Sequence, residues 1–473
     1  MPDTGWVASI VAVAVFGFAA VSAVHALLQR RDTGTIIAWV GLIVLLPLAG
    51  SALYWLFGVN RIRRRAHALR EGYLITDPSA HDDTLVEHPA RWERLLHSGD
   101  RLSPFRLVQG NAIEPLFDGD RTYARMLDAI DQARASITLA TYIFDYDRVG
   151  ERFVAHLQQA HDRGVQVRVL IDAVGARYSR RNTLRRLRRA GIPAAAFMPV
   201  HLPRSLAAFN LRNHRKMLVI DGRRAFTGGM NIRRGHSHID PGSHPIQDLH
   251  FELRGPACAQ VQRVFGEDWQ FATGERLDGP VWFPDPIETA GARACRGLPD
   301  GPDEDFEVLN FTLQAALAEA REEVTIITPY FLPGVALAGA LKAAALRGVQ
   351  VNILIPALNN LRLVEWASRP QQAELLERGC RLWLTPPPFN HAKLMLVDRE
   401  WALVGSANWD PRSLRLNFEF NLECLDRGLG SELAEWADHL REQSHPLTLA
   451  EVRARPLATQ LRDGAARLLT PYL

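Results

Sequence analysis

Two nine-residue stretches carry the residues best suited to chemistry, NHRKMLVID at 213–221 and NHAKLMLVD at 390–398. Each sets a histidine, a lysine two positions on and an aspartate seven positions on in an apolar run: His214, Lys216 and Asp221 in the first, His391, Lys393 and Asp398 in the second. One copy alone reads as a short buried strand with polar flanks. Two copies at one spacing point to a paired site. In an extended chain residues i and i+2 face the same way, so each histidine shares a face with its lysine. If both faces line one cleft, it holds two imidazoles and two ammonium groups. Asn231 and Asn408 are expected nearby, on the glycine-containing turns TGGMN (227–231) and VGSAN (404–408). Such a set suits a phosphate.

A phosphodiester gains negative charge as its phosphorus becomes five-coordinate, so fixed lysines and amide donors stabilise the transition state more than the ground state. In-line displacement needs a nucleophile and a proton donor on opposite sides of phosphorus, which a twofold pair of histidines supplies. One imidazole must be neutral and the other protonated, and each needs a carboxylate to fix its tautomer and tune its pKa. Asp221 and Asp398 stand at an odd separation from their histidines and would face away within a continuous strand. They are expected to tie down the strand end or the lysine. The orienting carboxylates are expected at Asp248, 34 residues after His214, and Glu419, 28 residues after His391, each returning alongside the strand of the histidine it follows.

These residues sit in a duplicated frame. ARASITLATYIFDYD from Ala133 matches AREEVTIITPYFLP from Ala320, and RGVQVRVLID (163–172) matches RGVQVNILIP (347–356). In both, an apolar helix, a glycine cap and a Val/Ile-rich run form a helix-then-strand unit of an α/β layer. His391 follows His214 by 177 residues and Asn408 follows Asn231 by 177, so the two segments share a local fold. The expected architecture is two similar α/β halves packed about a pseudo-twofold axis, preceded by a two-helix transmembrane hairpin. Its parts are two membrane helices within 1–60 (about 6–28 and 34–57), a basic juxtamembrane linker at 61–100, a first half at 101–275, a Pro/Gly-rich linker at 276–304 and a second half at 305–473. Residues 431–473, with Trp436, Leu440, Leu447 and Leu457 among charges, read as amphipathic helices packed on the catalytic core, with the closing ARLLTPYL able to touch lipid.

The hairpin rests on charge avoidance. Trp6 to Leu28 contains no Asp, Glu, Lys or Arg, and neither does Thr33 to Val59, and each run is long enough to span about 30 Å of hydrocarbon. MPDTGW lacks the basic start of a cleaved signal peptide. Arg61, Arg63, Arg64, Arg65 and Arg70 after the second run outweigh Arg30 and Arg31 in the turn, which places both termini of the hairpin in the cytoplasm. Cys258, Cys295, Cys380 and Cys424 show no disulfide framework and fit free thiols in a reducing compartment. The net charge of +3 does not by itself imply a nucleic-acid partner. Seven arginines between Arg177 and Arg189 form a solvated basic helix, and attraction to acidic head groups is the economical reading of that run.

At these residues the chain resembles the phospholipase D superfamily, whose signature HxK(x)4D followed by GxxN stands here twice, and within it the membrane-anchored bacterial cardiolipin synthases. The likeness covers nearly the whole chain, through AWVGLIVLLPLAGSALYWLFG, YIFDYDRVG, NLRNHRKMLVIDG, TGGMNI, TPYFLP and NHAKLMLVDREWALVGSANWDPRSLRLNFEFN. It implies a two-step phosphatidyl transfer without metal or other cofactor. One histidine attacks the phosphorus of phosphatidylglycerol, glycerol leaves with a proton from the other, and a second phosphatidylglycerol takes the group from the phosphohistidine to give cardiolipin. It implies His214 as nucleophile and His391 as acid then base, the similarity of the halves leaving the reverse open. Lys216, Lys393, Asp221 and Asp398 complete the catalytic set that the resemblance implies, Asn231 and Asn408 bind phosphate, and Asp248 and Glu419 orient the histidines. Location in the bacterial inner membrane, with phosphatidylglycerol and other anionic phospholipids as partners and no nucleic acid, follows from the same resemblance. A phospholipase D-type hydrolase, phosphatidylethanolamine as donor, and a non-catalytic lipid-binding protein are the alternatives. One stretch departs from the family: after GGMNI, where an aspartate and an aromatic are usual, the chain reads RRGHSHIDPGSHPIQDLH. Its His236, His238, Asp240, His244 and His250 raise a metal site, although their spacing fits no compact zinc pattern.

Overall fold

The two charge-free runs fold as a separate N-terminal unit in the computed structural model, which describes residues 5–28, 33–58, 89–178, 182–198, 211–302 and 307–470. Gly5–Leu28 is a single helix, and its Ser9–Leu28 portion is long and apolar enough to cross a membrane. The second run was expected as one helix and is divided: Thr33–Leu45, then a break at Leu46, then Pro47–Leu53 and a π-helical turn at Tyr54–Gly58. Pro47 accounts for the break, because it has no N–H and its ring disfavours helical geometry at Leu46, which sits at φ −133°, ψ 76°. The unit is apolar outside, and the polar groups it holds are paired inside, among Ala19, Ala26, Trp39 and Ile43. Val13, Phe16, Leu28 and Leu45 are exposed, whereas His25 Nδ1 and the Tyr54 hydroxyl meet at 2.6 Å and Trp55 Nε1 donates to Ser22 Oγ at 2.9 Å. An apolar solvent selects that arrangement. Arg30, Arg31, Arg61, Arg63, Arg64, Arg65 and Arg70 lie outside the described residues, as do Arg180 and Arg181.

The large unit is organised by one long sheet, with a separate two-stranded one beside the site. Its first half contributes β1 (Val108–Leu116), β2 (Ser136–Thr141), β3 (Gln166–Asp172), β4 (Ala194–Phe197), β5 (Arg212–Asn213), β6 (Met217–Ile220), β7 (Arg224–Gly228), β8 (Ile246–Gln247) and β9 (His250–Arg254). Its second contributes β10 (Arg293–Asp300), β11 (Glu323–Ile327), β12 (Gln350–Pro356), β13 (Arg381–Thr385), β14 (Phe389–Asn390), β15 (Leu394–Val397), β16 (Trp401–Gly405), β17 (Asn417–Leu425) and β18 (His445–Leu447). The strand order β18-β13-β12-β11-β15-β16-β17-β10-β1-β9-β7-β6-β2-β3-β4 repeats about the antiparallel β1·β10 junction, so the duplicated sequence is a duplicated sheet. In each half a helix, Arg148–Asp162 or Val335–Leu346, connects a parallel strand pair and ends at a glycine in left-handed geometry, Gly164 (φ +92°) or Gly348 (φ +97°). This is the repeated RGVQV stretch acting as a cap.

Each half has its own core, one around Tyr123, Phe144, Phe153 and Val169, the other around Leu309, Ile326, Val351 and Trp401. Two stretches read as linkers are part of this structure. Within 61–100, Glu93–Leu102 is a helix whose Leu95 and Leu96 pack, with Trp92, into the second core. Within 276–304, Arg293–Asp300 is the central strand β10, which the alternation of its residues does not announce. Buried Arg296 joins the two, its Nε donating to Glu423 at 2.8 Å and its Nη1 to the Leu96 carbonyl at 3.3 Å.

Candidate active site

Each histidine meets the carboxylate of the opposite half. The short strand β5 leaves its own half and pairs parallel with β17, Arg212 opposite Asn417 and Asn213 opposite Phe418, and His214 N donates to Phe418 O at 2.9 Å. The next residue along β17 is Glu419, and both of its carboxylate oxygens stand 3.0 Å from His214 Nδ1. The second half does the same in reverse: β14 pairs with β8, His391 N donates to Gln247 O at 2.7 Å, and His391 Nδ1 lies 2.8 Å from Asp248 Oδ2. The pairing within one half expected from Asp248 following His214, and Glu419 following His391, is therefore corrected to an exchange between halves. Spacing along the chain does not report which strand lies beside which.

The lysines share their histidines' side, although His214 and Lys216 fall in the break between β5 and β6 rather than inside one strand. Lys216 Nζ donates to His214 O at 2.6 Å, while the intervening Arg215 turns away to Asp268 at 2.6 Å. Lys393 Nζ donates to His391 O and is 3.0 Å from His391 Nδ1. Asp221 and Asp398 do not reach the histidines. Asp221 accepts from the backbone N–H groups of Arg134, Ala135 and Ser136, and Asp398 from those of Arg321, Glu322 and Glu323, clamping the starts of β2 and β11. Their odd spacing carries them to that end. Asn231 and Asn408 are buried at the matching turns; Asn231 Oδ1 accepts from Ile143 N at 3.0 Å, and Asn408 shares a small cavity with Lys393 and donates to Ser413 Oγ at 3.2 Å.

Burial dominates the electrostatics. It lowers Lys216 to about 7 against the pull of Glu419, and Lys393 to about 8 against that of Asp248. It also holds both imidazoles below their ordinary value, His391 further because Lys393, Lys216 and His214 add to it, whereas Glu419 opposes it at His214. These groups are thus close enough to feel one another's charge. The carboxylates are unequal. Burial pushes both upward, and for Asp248 it prevails; for Glu419 the His214 interaction, Lys216 and the Ser406 hydroxyl outweigh it and keep the acid below its usual value. Ser406 Oγ donates to Glu419 Oε2 at 2.6 Å and Asn417 Nδ2 to Oε1 at 3.1 Å. The position matching Ser406 in the first half is Gly229, packed flat against Asp248. That difference was visible as TGGMN against VGSAN, but its meaning needs the carboxylate beside it.

Aromatic rings wall the site. Tyr142 stands edge-on to His214 with ring centroids 5.3 Å apart, and Tyr330 edge-on to His391 at 6.3 Å. From the histidine-rich stretch, His236 is buried with neither ring nitrogen hydrogen-bonded, its Nδ1 3.9 Å from Asp248 Oδ2, and burial lowers it to about 3. His238 and His244 are exposed, and Asp240 is bound to Arg234 at 2.7 Å. Among the described residues no three His, Cys, Asp or Glu side chains converge as metal ligands, so the metal arrangement raised for this loop is not formed.

A twofold-repeated α/β sheet that exchanges His–carboxylate pairs across its axis and lines them with two lysines defines an enzyme of the phospholipase D type. The family model described as cardiolipin synthase, PLD-like domain matches residues 126–269 and 313–441, one block in each half, and a phospholipase D-nuclease N-terminal model matches 17–58. A cardiolipin synthase of Geobacillus thermodenitrificans is 32% identical over 456 residues, covering 94% of this chain and 90% of its own; cardiolipin synthase A of Pseudomonas aeruginosa is 33% identical over 472, covering 98% and 95%. The chain belongs to the cardiolipin synthase family. In fold it is similar to a phosphatidylserine synthase of Haemophilus influenzae, with TM-score 0.63 over 80% of this chain and 100% of that one at 16% identity.

Proposed function

We propose that this enzyme transfers a phosphatidyl group from one phosphatidylglycerol to another, giving cardiolipin and glycerol, with His214 as nucleophile and His391 as acid and then base. The observation that carries the reading is the exchanged and unequal backing of the two imidazoles. His214 has its Nδ1–H held by Glu419, an acid that stays ionised, which leaves Nε2 as the electron-rich nitrogen. Nε2 attacks phosphorus, the bond to the glycerol oxygen breaks, and that oxygen takes the proton of His391. Asp248, 2.8 Å from His391 Nδ1, orients that ring for the proton transfer, and the lysines beside it make its imidazolium the readier donor once it is charged. His391 then removes the proton from a hydroxyl of the second phosphatidylglycerol, whose oxygen displaces His214 from phosphorus.

Lys216, Lys393, Asn231 and Asn408 offset the charge on the five-coordinate phosphorus. The motif aspartates, Asp221 and Asp398, hold the frame in this reading. The N-terminal unit anchors the enzyme as a two-span membrane protein with the catalytic part cytoplasmic, a placement supported by the arginines after residue 60 and by four buried free cysteines. The test is purified enzyme in phosphatidylglycerol vesicles with excess chelator, read by lipid mass spectrometry beside His214→Ala and His391→Ala. Cardiolipin with an equal amount of glycerol, from the parent enzyme alone, is expected. Phosphatidic acid as the sole product would reassign the enzyme to hydrolysis, and product only with added phosphatidylethanolamine would change the donor.

A further inference from the structure

The helix Leu457–Arg467 is built inside out. Leu457, Leu461 and the following Leu468 fall on one stripe, at spacings of four and seven, and are 70%, 66% and 80% exposed. The opposite side, against the helix Arg362–Glu377, holds Ala466 at 5% and Asp463 at 2%. The Asp463 carboxylate is bound by Arg462 at 2.7 Å, with Arg369 at 3.8 Å and Arg455 at 4.0 Å. In water the apolar stripe of an amphipathic helix turns inward. Here a buried acid–arginine cluster holds the leucines outward, against the expectation that this helix packs its apolar side on the core.

The stripe has apolar neighbours. Leu358, Leu361 and Leu363, around the start of the helix Arg362–Glu377, are exposed as well. Leu332 packs with Ala367 and Ala466, so exposed Val335 follows a segment lying against the same two helices. Exposed apolar residues gathered on two packed helices mark an interaction site. It also borders the catalytic cleft: Asn360, between Leu358 and Leu361, accepts from the Tyr330 hydroxyl at 2.9 Å, and Tyr330 stands against His391.

Charge decides between possible occupants. Exposed Arg362 flanks the leucines together with Arg462 and Arg467, which are also paired with Asp463 at 2.7 Å and Glu374 at 3.4 Å, and Arg462 lies over the Trp366 ring at 4.3 Å, a combination of leucine, tryptophan and arginine that an anionic bilayer takes up. We propose that this face, centred on Leu461, seats the second half on an anionic bilayer, so that phosphatidylglycerol enters the cleft past Tyr330 without crossing water. The identity of that lipid rests on the transferase reading; the seating does not. A photoreactive Leu461→p-benzoylphenylalanine variant of the full chain, irradiated in phosphatidylglycerol-containing vesicles, is expected to yield a lipid adduct on the peptide bearing residue 461. An adduct to another copy of the chain or to the N-terminal unit, or no adduct, overturns the proposal. The double variant Leu461→Ser, Leu468→Ser is expected to raise the lipid mole fraction for half-maximal rate about tenfold. Its melting temperature and its rate on a water-soluble short-chain phosphatidylglycerol should stay unchanged; an unaltered lipid dependence also counts against the seating. A lipid adduct on an enzyme that makes no cardiolipin would leave the seating standing and the transferase reading refuted.

Discussion

Gly229→Ala should disable the His391 side of the site without unfolding the enzyme. A Cβ at this position would stand 2.2 Å from Asp248 Oδ1 and 2.9 Å from Oδ2, where an ordinary contact begins at 3.4 Å. Gly229 does not have the left-handed φ of Gly228 (φ +148°), so alanine meets a steric problem and not a backbone one. The carboxylate must retreat by about 1 Å, which strains its 2.8 Å bonds to Leu249 N and His391 Nδ1 toward about 4 Å, beyond hydrogen-bond range. Misplacing a catalytic group by about 1 Å costs on the order of 100-fold, close to 3 kcal/mol of transition-state stabilisation. Glycerol release and cardiolipin formation from phosphatidylglycerol vesicles should therefore fall by about 100-fold in kcat, while thermal unfolding shifts little. His391→Ala in the Gly229→Ala background should add much less than it does alone, since both act through one group. A folded Gly229→Ala enzyme with a parental kcat would refute the role given to Asp248.

Other outcomes follow from the same geometry. Asp221→Asn and Asp398→Asn each weaken a clamp of three backbone N–H groups and should lower unfolding free energy by about 1–3 kcal/mol in denaturant titrations, while kcat of the folded fraction changes far less than in the histidine variants. An ammonium is the acid form of lysine, so with Lys216 lowered to about 7 and Lys393 to about 8, kcat/KM should fall as pH rises through that range; a rise there would contradict the phosphate-holding role. Lys216→Arg should remove the lower part of that limb, provided the variant binds vesicles as the parent does. His236, lowered to about 3, is neutral at working pH, and His236→Phe should leave the pH profile in place and the activity insensitive to chelator; a shifted acid limb would give this ring a share in the chemistry.

The duplication was legible because it is written in types and spacings: two HxK copies, two glycine-bearing turns and a constant offset describe two equal halves, and the sheet order repeats accordingly. Glycine caps at Gly164 and Gly348 were legible for the same reason, since a left-handed residue after an apolar helix is a local demand. Whatever depends on non-local register was not. His214 meets Glu419 across 205 residues because β5 crosses to β17, and nothing within either segment encodes that choice. β10 is hidden because Gly297 and Pro299 read as turn residues and Arg296 as a solvent-facing charge, while its strand state is set by β1 and β17 on either side. The Leu457 stripe was read as a core-facing side because amphipathicity gives a helix two faces without saying which solvent each meets.

A twofold frame poses a chemical difficulty for the proposed in-line transfer, which needs two histidines in different states where strict symmetry would make them the same. The backbone keeps the symmetry: β5·β17 and β14·β8 place each imidazole on the carboxylate of the opposite half through equivalent N–H to carbonyl bonds. The difference enters one atom layer further out. Glu419 receives the Ser406 hydroxyl and the Asn417 amide, whereas Asp248 receives one backbone N–H and faces the hydrogen of Gly229. An acid with more donors is held ionised more firmly, so the imidazole it backs stays the better nucleophile, and the imidazole backed by the less stabilised acid gives up its proton more readily. Ser406→Gly should therefore bring the two pairs closer to equivalence, with the nucleophilic step slowed and the proton-transfer step spared. Rapid-quench detection of a labelled phosphatidyl group on His214 would show the intermediate forming more slowly and decaying at the parental rate; slower decay with unchanged formation would mean that the roles of the two histidines are reversed.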